Sequence, residues 1–344
     1  MAPRHPDRPH PETVPAGVLP AGTDPAGDDL AAYLRAQATE FLRALRETGN
    51  GPGGAEGAAD AGRALRRSAR RISAALHTFR TLLDPAWADA MRTELAWLSG
   101  TLALEHAQEA RLDRLLLALH RLSGSTPVPV RAVVHAGAPA PVAERGSLTV
   151  GAAKAGALLE RRLTLARTRA HSATLEALGS ARFHAVADRV ALLASEVPLA
   201  PAAPGTGLGP LAAAAEDRLA GAVAALPLVT AGDPYNAQAL IHGLSPDPVP
   251  HPQDGPWHQV RLLLRLHRYA REIPHTAPAD PRLGPAAEAL TRHRDAAEAA
   301  AEAAQAARTP RIATATAYAL GVLHADQRHE VEAARFTFQQ TWQS

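Results

Sequence analysis

The chain has 344 residues, a formal net charge of +2 and 46% hydrophobic content, enough for a real core and too balanced in charge for a polyelectrolyte tail. It has no cysteine, which excludes disulfide and thiolate chemistry and leaves only His and carboxylate ligands for zinc. No run of about 18 apolar residues free of charge occurs, so no membrane-spanning helix is expected.

Aromatics make up only 4% of the chain, Ala, Leu and Arg dominate, and β-branched residues form no alternating runs. The expected class is therefore all-α. Lys154 is the sole lysine, so the basic charge is almost entirely guanidinium. Total arginine says little by itself; what carries information is where arginines cluster without compensating acids.

Residues 1–27 are Pro-rich, lack the apolar stretch of a secretory signal and read as a disordered lead-in to a domain over 28–342. From Asp28, the residues Leu30, Leu34, Ala38, Phe41 and Leu45 keep one helical face apolar until Gly49. A second helix is expected from about Ala58 to Leu83. Asp84 then reads as an N-cap with Pro85 in the first turn, opening a helix to Leu102, and a fourth follows over 108–122. Residues 123–148 carry too much Pro and Gly for a helix and read as a long loop. Periodicity resumes from Val150 to Leu178, and Gly179 with Ser180 separates it from a helix ending near Glu196.

A Pro- and Gly-rich break over 197–210 divides the chain into a first half (28–200) and a second half (207–342). The second half is expected to hold helices over 211–226, 257–273, 284–307, 311–323 and 325–342, with a Pro-rich insert over 245–256 and Thr309-Pro310 as a cap. Such amphipathic helices bury their stripes only against one another, so a bundle is the natural outcome.

Two of these helices are unusual. In AGRALRRSARRISAALHTF (61–79), Arg63, Arg66, Arg70 and His77 fall within a sector of roughly 60°, apart from the core side formed by Leu65, Ala69, Ile72 and Leu76. Arg67 and Arg71 widen that basic sector. In WHQVRLLLRLHRYAREI (257–273), His258, Arg261, Arg265 and Arg268 fit within roughly 80°, backed by Val260, Leu263, Leu264 and His267. Like charges at i,i+4 cost an isolated helix about 0.2–0.5 kcal/mol per pair. The two rows are in register: Arg63 with His258, Arg66 with Arg261 and Arg70 with Arg265 are separated by one and the same interval, which reads as an internal repeat. Two-fold pseudosymmetry would line one surface with both rows. Guanidinium forks bind phosphate oxygens in pairs and stay charged at all relevant pH, so a phosphate polymer suits such a surface. The same pattern is also met by arginines that pair with acids on other helices or merely face solvent.

These residues resemble the CHAD family, the conserved-histidine α-helical domain. Its later half carries a His-x-x-Arg-x-x-x-Lys/Arg-x-x-Arg-Tyr helix with a Glu soon after, matched by His258, Arg261, Arg265, Arg268, Tyr269 and Glu272. The first-half counterpart is matched by Arg66, Arg70, Arg71, Leu76 and Phe79, and DPAWADAMRTELAWLSGTL (84–102) is similar to the segment that follows it. RTRAHSATLEALGSARF (167–183), LTRHRD (290–295) and ALGVLHA with Trp342 resemble further family segments in the expected order. The resemblance implies two four-helix-bundle halves around a basic central channel that binds inorganic polyphosphate, without catalysis of its own and sometimes at polyphosphate granules; the lack of cysteine fits a reducing cytoplasm. It assigns Arg167, His171, His293 and Arg294 to the channel beside the two basic rows. Departures are Arg63 for the first-half histidine, Ser73 and Leu262 for basic residues, and Ala107 as the counterpart of Asp295. The triphosphatase domain often fused to this family, marked by Glu-x-Glu-x-Lys, has no equivalent in the sequence.

The other readings are thinner. Sixteen histidines invite a metal site, but no HExxH occurs, and His324 with His329 would not share a helical face. Divalent cations are expected only as companions of polyphosphate. There is no P-loop or G-x-S-x-G, and GTGLGP (205–210) opens no strand-helix unit, so an enzyme is not expected. Nucleic acid offers the same phosphates, but few aromatics, a small net charge and no docking motif count against it. A protein-binding scaffold with a decayed channel is the third reading.

Overall fold

The computed structural model describes residues 25–50, 54–124, 145–200, 207–232, 252–273 and 280–343. The lead-in, most of the long loop, the centre of the 197–210 break and most of the 245–256 insert lie outside them. Among the described residues every regular element is helical apart from an isolated bridge between Leu83 and Leu199. The protein is all-α.

Helices α1 (Pro25–Asn50), α2 (Gly54–Thr78) and α3 (Pro85–Leu122) are followed by α4 (Arg145–Leu178) and α5 (Ala181–Ser195). Then come α6 (Leu208–Ala224), the short α7 (Leu228–Ala231), α8 (Gly255–Ala270), α9 (Leu283–Ala307) and α10 (Thr314–Gln343). The expected caps form at two starts. Asp84 accepts a hydrogen bond from the Trp87 amide at 2.8 Å, with Pro85 in the first turn, and the Ser180 hydroxyl accepts from the Phe183 amide at 3.1 Å.

Two expected breaks are absent. The helices over 84–102 and 108–122 are one helix of 38 residues, because nothing in LALEHAQEA interrupts the ladder and Gly100 sits inside it without strain. The segments over 311–323 and 325–342 likewise form the single α10. Thr309-Pro310 does not open that helix; it belongs to a turn in which Arg311 takes the left-handed conformation at φ 60°, and the helix starts at Thr314.

The apolar stripes close three main cores. One joins α1, α2, the start of α3 and α5, with Leu30, Leu34, Phe41, Leu65, Ile72 and Leu95 fully buried. A second joins the far end of α3 and the start of α4 to α9 and α10 through Leu115, Ala155, Leu159, Ala299, Ala303 and Leu320. The third joins α6, α8, α9 and the end of α10 around Trp257, Leu264, Leu290 and Phe338. Helix α2 packs on both α3 and α8, so the two basic helices are neighbours.

Candidate functional site

The core sides of α2 and α8 are sealed by Leu65, Ala69 and Ile72 on one helix and Val260 and Leu264 on the other. Both helices are therefore fixed in rotation, and their basic rows turn toward each other. Arg66 and Arg70 from α2 meet Arg261 and Arg265 from α8, with Arg294 of α9 beside them. All are partly buried. Among the described residues, Arg66, Arg70, Arg261 and Arg265 have no carboxylate within ion-pair distance.

The charge on these four arginines is not neutralised by any ion pair of their own among the described residues. Burial, and then repulsion from Arg66 and Arg265, pushes Arg70 down to about 10; burial, and then Arg294 and Arg265, does the same to Arg261. Burial also lowers Arg66, with Arg294 and Arg63 adding to it, and lowers Arg265. All remain cations at neutral pH. Arg261 Nε and His258 Nε2 are buried without a hydrogen-bond partner, and burial holds His258 below the ordinary imidazole range. Buried polar atoms are nearly always satisfied, so Arg261 Nε is a donor that solvent or a ligand has to complete, as are other buried unpaired atoms of the fold such as Arg328 Nε.

The other residues expected at the channel separate into groups. Arg71 is committed elsewhere: its Nε donates to Glu272 at 2.8 Å and its Nη2 to the other carboxylate oxygen at 3.3 Å, while Tyr33 donates to the same Glu272 at 2.8 Å. That hydrogen bond to Glu272 raises the Arg71 pKa, opposite to its neighbour Arg70. Arg71 is thus a structural clamp between α1, α2 and the end of α8. His293 does not face the cleft. It is 1% exposed, stacks on Trp257 with centroids 5.7 Å apart, and lies 3.6 Å from Asp254 and 3.3 Å from Arg335 Nε. Burial, and then the Arg335 charge, pushes it down to about 3, so it is a neutral core residue.

Arg294 is partly countered by Asp295 and, at 3.7 Å, by Glu298. Arg63 pairs with Asp60 on its own helix, Arg167 with Glu109 at 3.3 Å, and His171 with Glu105 at 3.0 Å. Arg63 and His171 line a pocket of about 430 Å³ that also contains Arg66, Glu105 and Glu109. Carboxylates thus border the cluster at that end. Arg268 is exposed and has no ion pair among the described residues.

At the opposite end, Arg70, Arg265 and His77 line a cavity of about 400 Å³ together with Arg92. Burial, and then the Arg92 charge, lowers His77; Arg92 itself touches Asp89 at 3.1 Å. Arg92 was not among the expected residues. Its signal is present, however, in the stripe Arg92, Ala96, Ser99, Gly100, Ala103, which is a polar and small-residue face unsuited to a core. Also unforeseen is a buried ionic knot in which Arg328 and Arg335 of α10 bond Asp254, each at 2.7 Å. Burial raises the Asp254 pKa, but Arg328, His293 and Arg335 together outweigh it and hold the carboxyl below its ordinary range.

No helix among the described residues is long and apolar enough to cross a membrane, and no group of three potential metal ligands converges there.

Comparison with known proteins gives the following. The solved structure of PptA from Streptomyces chartreusis is 67% identical, with a TM-score of 0.77, and the match covers 93% of this chain and 99% of that one. The crystal structure of the CHAD domain from the plant Ricinus communis is 16% identical with a TM-score of 0.46, covering 90% of this chain and 91% of that one. No curated protein matches the sequence. A family model described as the CHAD domain matches residues 32–275, and the chain belongs to the CHAD domain family.

Proposed function

We propose that the protein binds inorganic polyphosphate, or a similarly phosphate-rich polyanion, at the guanidinium cluster between α2 and α8, and performs no catalysis of its own. The observation that carries this reading is the meeting of Arg66, Arg70, Arg261 and Arg265 from two helices with no carboxylate in reach among the described residues. Cations crowded in this way raise the free energy of the empty site, and a string of phosphates relieves them through paired, charge-assisted hydrogen bonds. Divalent cations accompany such a polymer as counterions. On this reading the protein works in the cytoplasm, at polyphosphate granules where these form.

The test is titration with long-chain polyphosphate at two salt concentrations, comparing the native chain with an Arg70→Glu, Arg265→Glu double variant. If four phosphates are engaged, counterion release predicts a loss of affinity of roughly 50-fold between about 50 and 200 mM salt. The variant should lose most of the affinity and most of the salt dependence. Equal binding by both proteins overturns the proposal. Displacement of bound polyphosphate by RNA at equal phosphate concentration would favour a nucleic-acid ligand instead.

A further inference from the structure

The cationic row thins along the cleft. Beyond Arg70 the next position on that face of α2 is Ser73, and beside Arg261 on α8 stands Leu262. From Arg70 and Arg265 onward, the 400 Å³ cavity is walled by Ala74, Leu262 and Leu266 on the two basic helices and by Ala96, Gly100 and Ala103 on α3, with Ser73, His77, Arg92 and Ser99 as its further polar groups. The room exists because the α3 wall is so small. A Cβ placed on Gly100 would meet nothing within 4 Å.

A phosphate polymer running on into this cavity would find, beyond the first pair, only Arg92, already paired with Asp89, and His77, whose charged form burial disfavours, and would strip water from its other oxygens against leucine and alanine. A molecule with one anionic end and one apolar end gains at both. The cavity volume is in the range of small-ligand sites, which are mostly apolar with a few convergent polar groups. We propose that this cavity holds the apolar body of a small phosphate ester, a phosphomonoester or diphosphate of a compact hydrophobic alcohol, whose phosphate is bound by Arg70 and Arg265. This rests on the anion-binding reading above, since the same two guanidinium groups serve both ligands. Leu262 lines the cavity and is 41% exposed, so an apolar chain seated there would cover it.

The experiment is calorimetric titration with inorganic phosphate, butyl phosphate and hexyl phosphate, alongside long-chain polyphosphate. Each methylene carried out of water into the cavity multiplies affinity by about fourfold, so hexyl phosphate, with two more, should bind roughly fifteenfold more tightly than butyl phosphate. A Gly100→Leu variant fills the cavity and leaves every arginine in place. It should abolish the gain with alkyl length while keeping polyphosphate binding. An independent variant, Leu262→Arg at an exposed position, extends the cationic row and should shift preference from hexyl phosphate toward polyphosphate. Affinity that is flat with alkyl length while polyphosphate binds in a salt-dependent way overturns the ester ligand alone. Failure of all four ligands overturns the anion-binding reading with it.

Discussion

Arg70 and Arg71 are adjacent on one helix and sit in opposite electrostatic surroundings, so replacing each by Met should move stability in opposite directions. Burial and the neighbouring arginines bring Arg70 well below the ordinary arginine value, to about 10. At about 1.4 kcal/mol per pH unit this corresponds to roughly 3 kcal/mol against the charged form. The site opens to solvent through the cavity, and screening reduces the penalty to on the order of 1 kcal/mol. Arg70→Met keeps the aliphatic stem and removes the charge, so the ligand-free protein should gain about 1 kcal/mol and melt roughly 2 °C higher. Arg71→Met instead takes both guanidinium bonds from Glu272 and leaves it only Tyr33, at a cost of about 1–2 kcal/mol after the same discount. Thermal melts at low salt, with and without polyphosphate, read both effects. The rise in Tm caused by the polymer should shrink in Arg70→Met and survive in Arg71→Met. A ligand-free Arg70→Met protein that melts below the native chain would refute the reasoning, because it would mean that Arg70 stabilises the fold rather than straining it.

The crossing of α4 and α10 gives a second expectation. A Cβ on Gly151 would land against the Ala315 carbonyl oxygen, with the carbonyl carbon at 2.9 Å, so Gly151→Ala should cost about 1–3 kcal/mol in urea unfolding despite its better helix propensity. Asp254→Ala should be more damaging, roughly 3–5 kcal/mol by the same measurement, since it leaves the buried Arg328 without its anion and Arg335 with Glu332 alone. Stability should also fall on acidification. His293 is held at about 3 in the fold against 6.5 when free, so the unfolded chain takes up a proton that the native state refuses. The stabilisation is complete above pH 6.5 and is lost as pH drops toward 3; the urea midpoint followed from pH 7 to 4 should decline, with a shallower slope in His293→Asn.

What could be read in advance follows from what is local. Three- and four-residue spacing gave the helices, side-chain caps gave the starts at Asp84 and Ser180, and the unbroken rows of arginine on α2 and α8 gave the centre of the site. Those rows were informative because their lack of acids is visible within single helices. Partners far along the chain are not visible in this way. Arg71 looks like Arg70 until Glu272 arrives from 201 residues away, and His293 looks like a ligand until Trp257 and Asp254 enclose it. The segments ending at Leu102 and starting at residue 108 are continuous because nothing between them breaks the helix, and Glu105, His106 and Glu109 face a pocket shared with α4, where charge is tolerated.

Helix α3 has a further consequence. At 38 residues it extends close to 57 Å, about 1.5 Å per residue. It carries Leu95 and Leu98 into one apolar interior and Leu115 and Leu119 into another whose opposite wall is built from α9 and α10. A rod anchored at both ends transmits loss of order from either interior to its neighbour. Heating should therefore melt the molecule as one cooperative body, and a chain severed between residues 201 and 206 should yield fragments that stay soluble only when they reunite.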